Sequence, residues 1–271
     1  MPRYVWPLAG LLVVVAAAAF MNAFTHDGFD LAYIDHGEGP PVLLIHGFAS
    51  TAFVNWVSPG WIKTLTGAGF RAIAFDHRGH GASTKSYDPA AYVPAAMAGD
   101  AAALLDHLGL ERAHVMGYSM GARVAAFLAL QEPARVATLV FGGLGIGMVD
   151  GVGDWDPIAD ALVAPDPAAI PSARGRMFRA FADQTRSDRR ALAACIATSR
   201  ELLSEADMAR ITQPTLVAVG GKDDIGGSAE ELATLMPNAE SFVIEGRDHM
   251  LSVGDRTFKK RVLEFLAAHP L

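Results

Sequence analysis

An apolar run, Ala113-His114-Val115-Met116, ends in Gly117-Tyr118-Ser119-Met120-Gly121, and good helix formers follow at once through residue 130. A strand that passes into a helix over so few residues has to turn sharply, and glycine tolerates the close backbone approach that such a turn demands. Ser119, between the two glycines, projects its hydroxyl from this turn and is the candidate nucleophile.

The rest of the chain repeats the alternation of short apolar runs with helical stretches that marks parallel strands joined by crossover helices. Residues 22–26 read as a strand, Asp27-Gly28 as a hairpin turn, and residues 29–35 as the returning strand. Gly37-Glu38-Gly39-Pro40 then turns into Val42-Leu43-Leu44-Ile45, a continuous apolar run expected to be a central strand covered on both faces. Further strands are predicted at 72–75, 113–116, 136–141, 215–219 and 241–244, with helices around Trp61, Leu104, Phe127, Leu232 and Val262. The expected fold class is α/β, with a doubly wound, mostly parallel sheet of about eight strands. A chain of 271 residues that is 51% apolar and 19% charged has ample material for one large core and is not of a disordered class. The net charge of −7, with no long run of either sign, argues against a nucleic-acid surface and for small-molecule partners. Cys195 is the single cysteine, so there is neither an internal disulfide nor a cysteine pair for a metal.

Residues 148–211 break the rhythm. Asp, Gly and Pro come first, including Pro157, Pro165, Pro167 and Pro171, and residues 174–208 then turn helical. This stretch is read as a helical cap inserted between two strands, over the carboxyl ends where open α/β sheets bind ligands. Residues 24–147 and 212–271 are left as the core. Met177, Phe178 and Phe181 are candidate lining for an acyl pocket, with packing of an apolar helix face on the main domain as the alternative. Arg174, Arg176, Arg179, Arg186, Arg189 and Arg190 form either an anion-attracting group or a solvated helix face. At the other end of the chain, residues 1–23 are a hydrophobic segment that carries Arg3 near its start and no charge from Tyr4 to Phe24. It reads as a membrane anchor, as a signal peptide cut near Ala17-Ala18-Ala19, or as a stretch upstream of a true start at Met21. The first two readings give a membrane-anchored or exported protein, attached if at all through residues 4–24, and the third a cytoplasmic one.

An activated serine needs a base, and the base needs an acid to orient it. Beyond the strand at 215–219 stands Gly220-Gly221-Lys222-Asp223-Asp224-Ile225, and beyond the strand at 241–244 stands Gly246-Arg247-Asp248-His249. Both sequences fall on loops at carboxyl ends of strands, with either Asp223 or Asp224 as the acid and His249 as the base. The order Ser119, Asp223, His249 is that of the α/β-hydrolase arrangement.

On these residues the chain resembles the α/β-hydrolase superfamily, from Phe24 to the C-terminus. The resemblance is carried by His46-Gly47-Phe48, Asp76-His77-Arg78-Gly79-His80-Gly81-Ala82-Ser83, the serine turn, Gly220-Gly221-Lys222-Asp223 and Gly246-Arg247-Asp248-His249. It implies that the backbone N–H groups of Phe48 and Met120 form an oxyanion hole and that Asp223 is the acid. Serine at the turn, and Phe48 in place of proline, set the chain apart from relatives that open epoxides or alkyl halides with an aspartate. The activity so implied is cofactor-independent cleavage of a carboxylic ester with a small to medium apolar acyl group. Thioester, lactone or carbon–carbon bond hydrolysis and perhydrolysis stay open, as does a ligand receptor on the same fold. His77 and His80 lack a third ligand at suitable spacing, so no metal is expected. Gly142-Gly143-Leu144-Gly145-Ile146-Gly147 does not spell G-x-G-x-x-G and is read as a flexible lead-in to the cap. His46, Asp76 and Arg78 are read as structural, and Asp248 as a surface or loop carboxylate.

Overall fold

The computed structural model describes residues 21–271 apart from 152 and 154. Side-chain alternation decides where its core lies. Along β3 (Pro41–Ile45), Leu43 and Ile45 face one side of the sheet while Val42 and Leu44 face the other, and all four are buried. The same split recurs in β4 (Arg71–Phe75), where Ile73 and Phe75 oppose Ala72 and Ala74. Strands apolar on both faces are stable only where helices cover both.

The first two strands are β1 (Asn22–His26) and β2 (Phe29–His36). The remaining four are β5 (Ala113–Tyr118), β6 (Val136–Gly142), β7 (Thr215–Gly220) and β8 (Ala239–Ile244). They form an eight-stranded sheet in the order β1-β2-β4-β3-β5-β6-β7-β8. β2 runs antiparallel to β1 and β4, and every other pairing is parallel. Asp27 and Gly28 both take positive φ in the predicted hairpin turn.

The helices are α1 (Trp61–Gly67), α2 (Pro94–His107), α3 (Met120–Gln131), α4 (Asp156–Val163), α5 (Ala173–Gln184), α6 (Arg189–Thr198), α7 (Glu205–Arg210), α8 (Ala229–Thr234), α9 (His249–Ser252) and α10 (Arg256–Ala268). Trp61 and Leu65 of α1 pack with Phe258, Val262 and Phe265 of α10 on one face. Residues from α2, α3 and α8, among them Leu104, Val124 and Leu232, cover the other.

Two boundaries differ from those predicted. Asn22 and Ala23, shared between the strand read at 22–26 and the hydrophobic segment 1–23, lie in β1 as the strand reading has it, and Phe24 is buried against Tyr33 and His107. The stretch 4–24 therefore overlaps the sheet by three residues, while residues 1–20 lie outside the described residues. No helix among the described residues is long and apolar enough to cross a membrane. The second difference is in the insertion between β6 and β7, where the predicted helical run 174–208 is three helices. Ser172, Asp188 and Ser204 each accept backbone N–H groups at a new N-terminus. α4 falls within the stretch of Asp, Gly and Pro that precedes the predicted helical run; Pro157 sits in its first turn, where a missing N–H leaves no bond unmade.

Candidate active site

β5 ends one residue before Ser119, which takes φ 55 and ψ −116 and leads directly into α3. Such a conformation costs a non-glycine residue about 1–3 kcal/mol and persists only where its surroundings enforce it. Here the Ser119 N–H donates to Gly142 O at 2.7 Å, and Ser119 O accepts from Ala122 N at 2.9 Å. A Cβ on Gly117 would stand 2.1 Å from Gly121 O, and one on Gly121 would stand 2.0 Å from Ile45 O. Both glycines are thus set by backbone contact, of the turn with itself and with β3. Gly121→Ala is expected to lower Tm by about 10 °C or more, because the clash is with backbone that has no room to shift. A thermal melt checks this, and a shift under about 2 °C would mean that the contact relaxes.

His249 opens α9 beside this turn. Its Nε2 lies 3.0 Å from Ser119 Oγ and its Nδ1 lies 2.8 Å from Asp223 Oδ2. The other carboxylate oxygen, Asp223 Oδ1, accepts the N–H groups of Ile225 at 2.8 Å and Gly226 at 2.9 Å. Burial acts to raise the Asp223 carboxyl, but the His249 bond and charge together with these two N–H donors outweigh it and hold the group below the usual carboxylate range. An ionised Asp223 only accepts, so Nδ1 carries the imidazole proton and Nε2 is left to accept from Ser119. Asp224 is exposed, and so is Asp248, whose side chain caps α9 by accepting from Leu251 N at 2.8 Å. One contact has no counterpart in the sequence reading. Tyr118 Oη donates to the His249 carbonyl at 2.5 Å, fixing the backbone of the imidazole from the residue before the serine.

The loop after β3 is pinned on both sides of Phe48. Gly47 N–H donates to Asn55 Oδ1 at 2.8 Å and Ala49 N–H to His80 Nε2 at 3.3 Å, whereas Phe48 N–H has no acceptor among the described residues. Met120 N–H begins α3, where the first amides lack an intrahelical acceptor. Asp76, buried, accepts from Ala52 N and Ala82 N at 2.8 Å each and ties this loop to the next. Arg78 forms a two-pronged ion pair with buried Asp100.

His46 and His80 act on the same loop as neutral rings. His46 Nε2 accepts His77 N–H at 3.0 Å and its Nδ1 meets Gly47 O at 2.8 Å, while His80 Nδ1 meets Arg78 O at 3.0 Å. Burial pushes His46 down to about 4 and His80 down to about 3. An unfolded chain takes up these protons as pH falls through 6.5, and the fold does not until far lower, so stability is lost as pH falls across that window. The loss approaches about 1.4 kcal/mol per pH unit for each histidine. Urea unfolding is therefore expected to show a markedly lower free energy at pH 5 than at pH 7. Equal values would mean that these rings titrate normally. Among the described residues no three His, Cys, Asp or Glu side chains are grouped to hold a metal ion.

A cavity of about 590 Å³ opens from Ser119, floored by Phe48 and Met120 and roofed by residues 196–202 of the insertion. Met177, Phe178 and Phe181 do not line it. Met177 is exposed on the outer side of α5, Phe178 is buried between Phe48 and Trp155, and Phe181 packs on the core. Helical spacing turns residues 178 and 181 inward together, so Phe178 supports the loop of Phe48 and the cavity wall is left to the end of α6 and the residues that follow it. Several arginines of the insertion are engaged within the protein, Arg189 with Asp183 among them. Arg176 and Arg179 are engaged by backbone carbonyls, and Arg190 stacks on Tyr87. The run Gly142 to Gly147 is not loose either. Gly145 N and Gly147 N bond to Gly226 O, and a Cβ on Gly145 would stand 2.3 Å from Ser228 O.

A doubly wound sheet with a strained serine turn and a loop-borne Asp–His pair defines the α/β-hydrolase fold, and comparisons with known proteins agree. Residues 40–167 match the family described as alpha/beta hydrolase fold. A crystal structure of a hydrolase from Pseudomonas aeruginosa superposes with a TM-score of 0.75 at 29% identity, covering 92% of this chain and 99% of that one. A non-heme chloroperoxidase from Kitasatospora aureofaciens is 28% identical over 89% of this chain and 98% of its own length. Epoxide hydrolase B of Mycobacterium tuberculosis is 39% identical over 117 residues, which are 40% of this chain and 31% of that enzyme. The match thus spans about a third of that relative's length. The chain belongs to the α/β-hydrolase superfamily.

Proposed function

We propose that the protein is a serine hydrolase that cleaves a carboxylic ester with a small to medium, largely apolar acyl group through an acyl-enzyme on Ser119. The observation that carries this reading is the hydrogen-bonded series Asp223, His249, Ser119, whose last member lines the cavity. His249 Nε2 takes the Ser119 proton as Oγ attacks the ester carbonyl, and then delivers it to the departing alkoxide. Asp223 holds the ring in the required tautomer and stabilises its charge. The N–H groups of Phe48 and Met120 receive the developing oxyanion, and removal of one such donor typically costs about 3–4 kcal/mol of transition-state stabilisation. Water, deprotonated by His249, then releases the acid.

Serine at the turn favours acyl transfer over the epoxide opening named for some relatives, since an acyl-serine is released by attack at its carbonyl. The likeness to a chloroperoxidase over most of the chain supports a second use of the same intermediate. Hydrogen peroxide in place of water would attack the acyl-enzyme and yield a peracid and free Ser119. A series of 4-nitrophenyl esters of rising chain length, with and without peroxide, tests both readings. We expect turnover with water alone, greatest for short to medium chains, and nitrophenol release no faster than the uncatalysed rate would refute the assignment. The uncharged stretch before Asn22 further supports attachment to a membrane or export. N-terminal sequencing of the mature protein and its partition into membranes test this, and a soluble chain beginning at Met21 would contradict it.

A further inference from the structure

Arg123 stands one turn along α3 from Ser119, lines the same cavity and is 4% exposed. Its guanidinium donates to the carbonyl oxygens of Met148 at 2.9 Å, Glu201 at 2.8 Å and Gly147 at 3.1 Å. Among the described residues no carboxylate pairs with it, and its Nε–H has no acceptor. Carbonyl groups satisfy N–H donors without cancelling the charge, and a buried cation lacking a counter-ion is costly. Burial and the neighbouring Arg200 pull Arg123 down to about 10, with Glu201 acting in the opposite direction. The two acids on the cavity wall, Asp150 and Glu201, are exposed at the mouth.

The cavity also has a direction. His249 does not line it, yet a leaving group has to reach His249 Nε2 to collect its proton. The space between Ser119 and Arg123 therefore belongs to the acyl part of the substrate. Leu144 and Ile225 make part of that wall apolar. Four residues of helix rise about 6 Å, a distance bridged by an acyl chain of a few methylene groups.

We propose that Arg123 is the anion-binding end of the acyl pocket and that the substrates are monoesters of dicarboxylic acids, with the free carboxylate on Arg123 and the ester carbonyl at Ser119. This rests on the serine-hydrolase reading. The test compares mono-4-nitrophenyl adipate with methyl 4-nitrophenyl adipate, which has the same chain and no charge. Adipate is long enough that its carboxylate attacks its own ester slowly. The unmodified enzyme is expected to prefer the anionic ester by about tenfold or more in kcat/KM, the scale of one charge-assisted hydrogen bond. Arg123→Gln is expected to abolish that preference and Arg123→Lys to retain part of it. Labelling of Ser119 by a fluorophosphonate, run alongside, separates the two readings. Normal labelling with no preference in the unmodified enzyme, or with equal losses on both esters in Arg123→Gln, would overturn the anion site and mark Arg123 as a clamp on the insertion. Absence of labelling in the unmodified enzyme would instead overturn the serine-hydrolase reading.

Discussion

Ser119→Ala is expected to lower kcat/KM on a short 4-nitrophenyl ester by about ten-thousandfold or more, with Tm unchanged or slightly raised. The size follows from the loss of the proposed nucleophile, whose Oγ lies 3.0 Å from His249 Nε2. The direction of the Tm effect follows from the backbone, since φ 55 at residue 119 is a strain that the fold carries with either side chain. His249→Ala is expected to cost about as much, and the double variant little more than either, because nucleophile and base act as one unit. Steady-state kinetics on the three variants decide this. Activity of either single variant within about tenfold of the parent, or multiplied losses in the double, would mean that the two residues do not share a step.

The second large effect separates two neighbouring carboxylates. Asp223→Asn is expected to reduce kcat by roughly a thousandfold to ten-thousandfold, since an amide at this position offers His249 Nδ1 the wrong partner and reverses the tautomer. Asp224→Asn, on an exposed side chain, is expected to change kcat by no more than about threefold. Asp223 Oδ1 also accepts the N–H groups of Ile225 and Gly226, so the Asn variant keeps one acceptor for the loop and should remain folded. Equal small losses in both variants would show that some other carboxylate orients His249.

What was legible in the sequence, and what was not, divides along the range of the interactions. The serine turn is readable because its requirements are local: a strand, a helix and two glycines whose missing Cβ atoms lie 2.1 Å and 2.0 Å from backbone atoms. The central strands are readable because burial on both faces removes the polar alternation that a half-exposed strand keeps. The chain order Ser119, Asp223, His249 could be read, but which of Asp223 and Asp224 bonds to His249 turns on the path of the loop, which adjacent identical residues do not encode. The acyl pocket failed for a similar reason. Met177, Phe178 and Phe181 have the composition of a lining, yet only the docking of α5 decides that Phe178 packs beneath Phe48 rather than against a ligand. Tyr118 and Arg123 went unassigned because their partners are backbone carbonyls distant in sequence, His249 for one and Gly147, Met148 and Glu201 for the other. No residue-type signal marks a carbonyl as a partner. The glycines from 142 to 147 suggested flexibility from composition alone, whereas they permit close approach to the loop that follows Asp223.

The central claim is that Ser119 is an activated nucleophile, and covalent labelling by a fluorophosphonate tests it most directly. Intact mass and peptide mapping should find a single adduct per chain, on Ser119, formed in the folded protein and absent from both Ser119→Ala and heat-unfolded protein. A folded protein that takes up no label, or takes it up on a residue other than Ser119, would contradict the account.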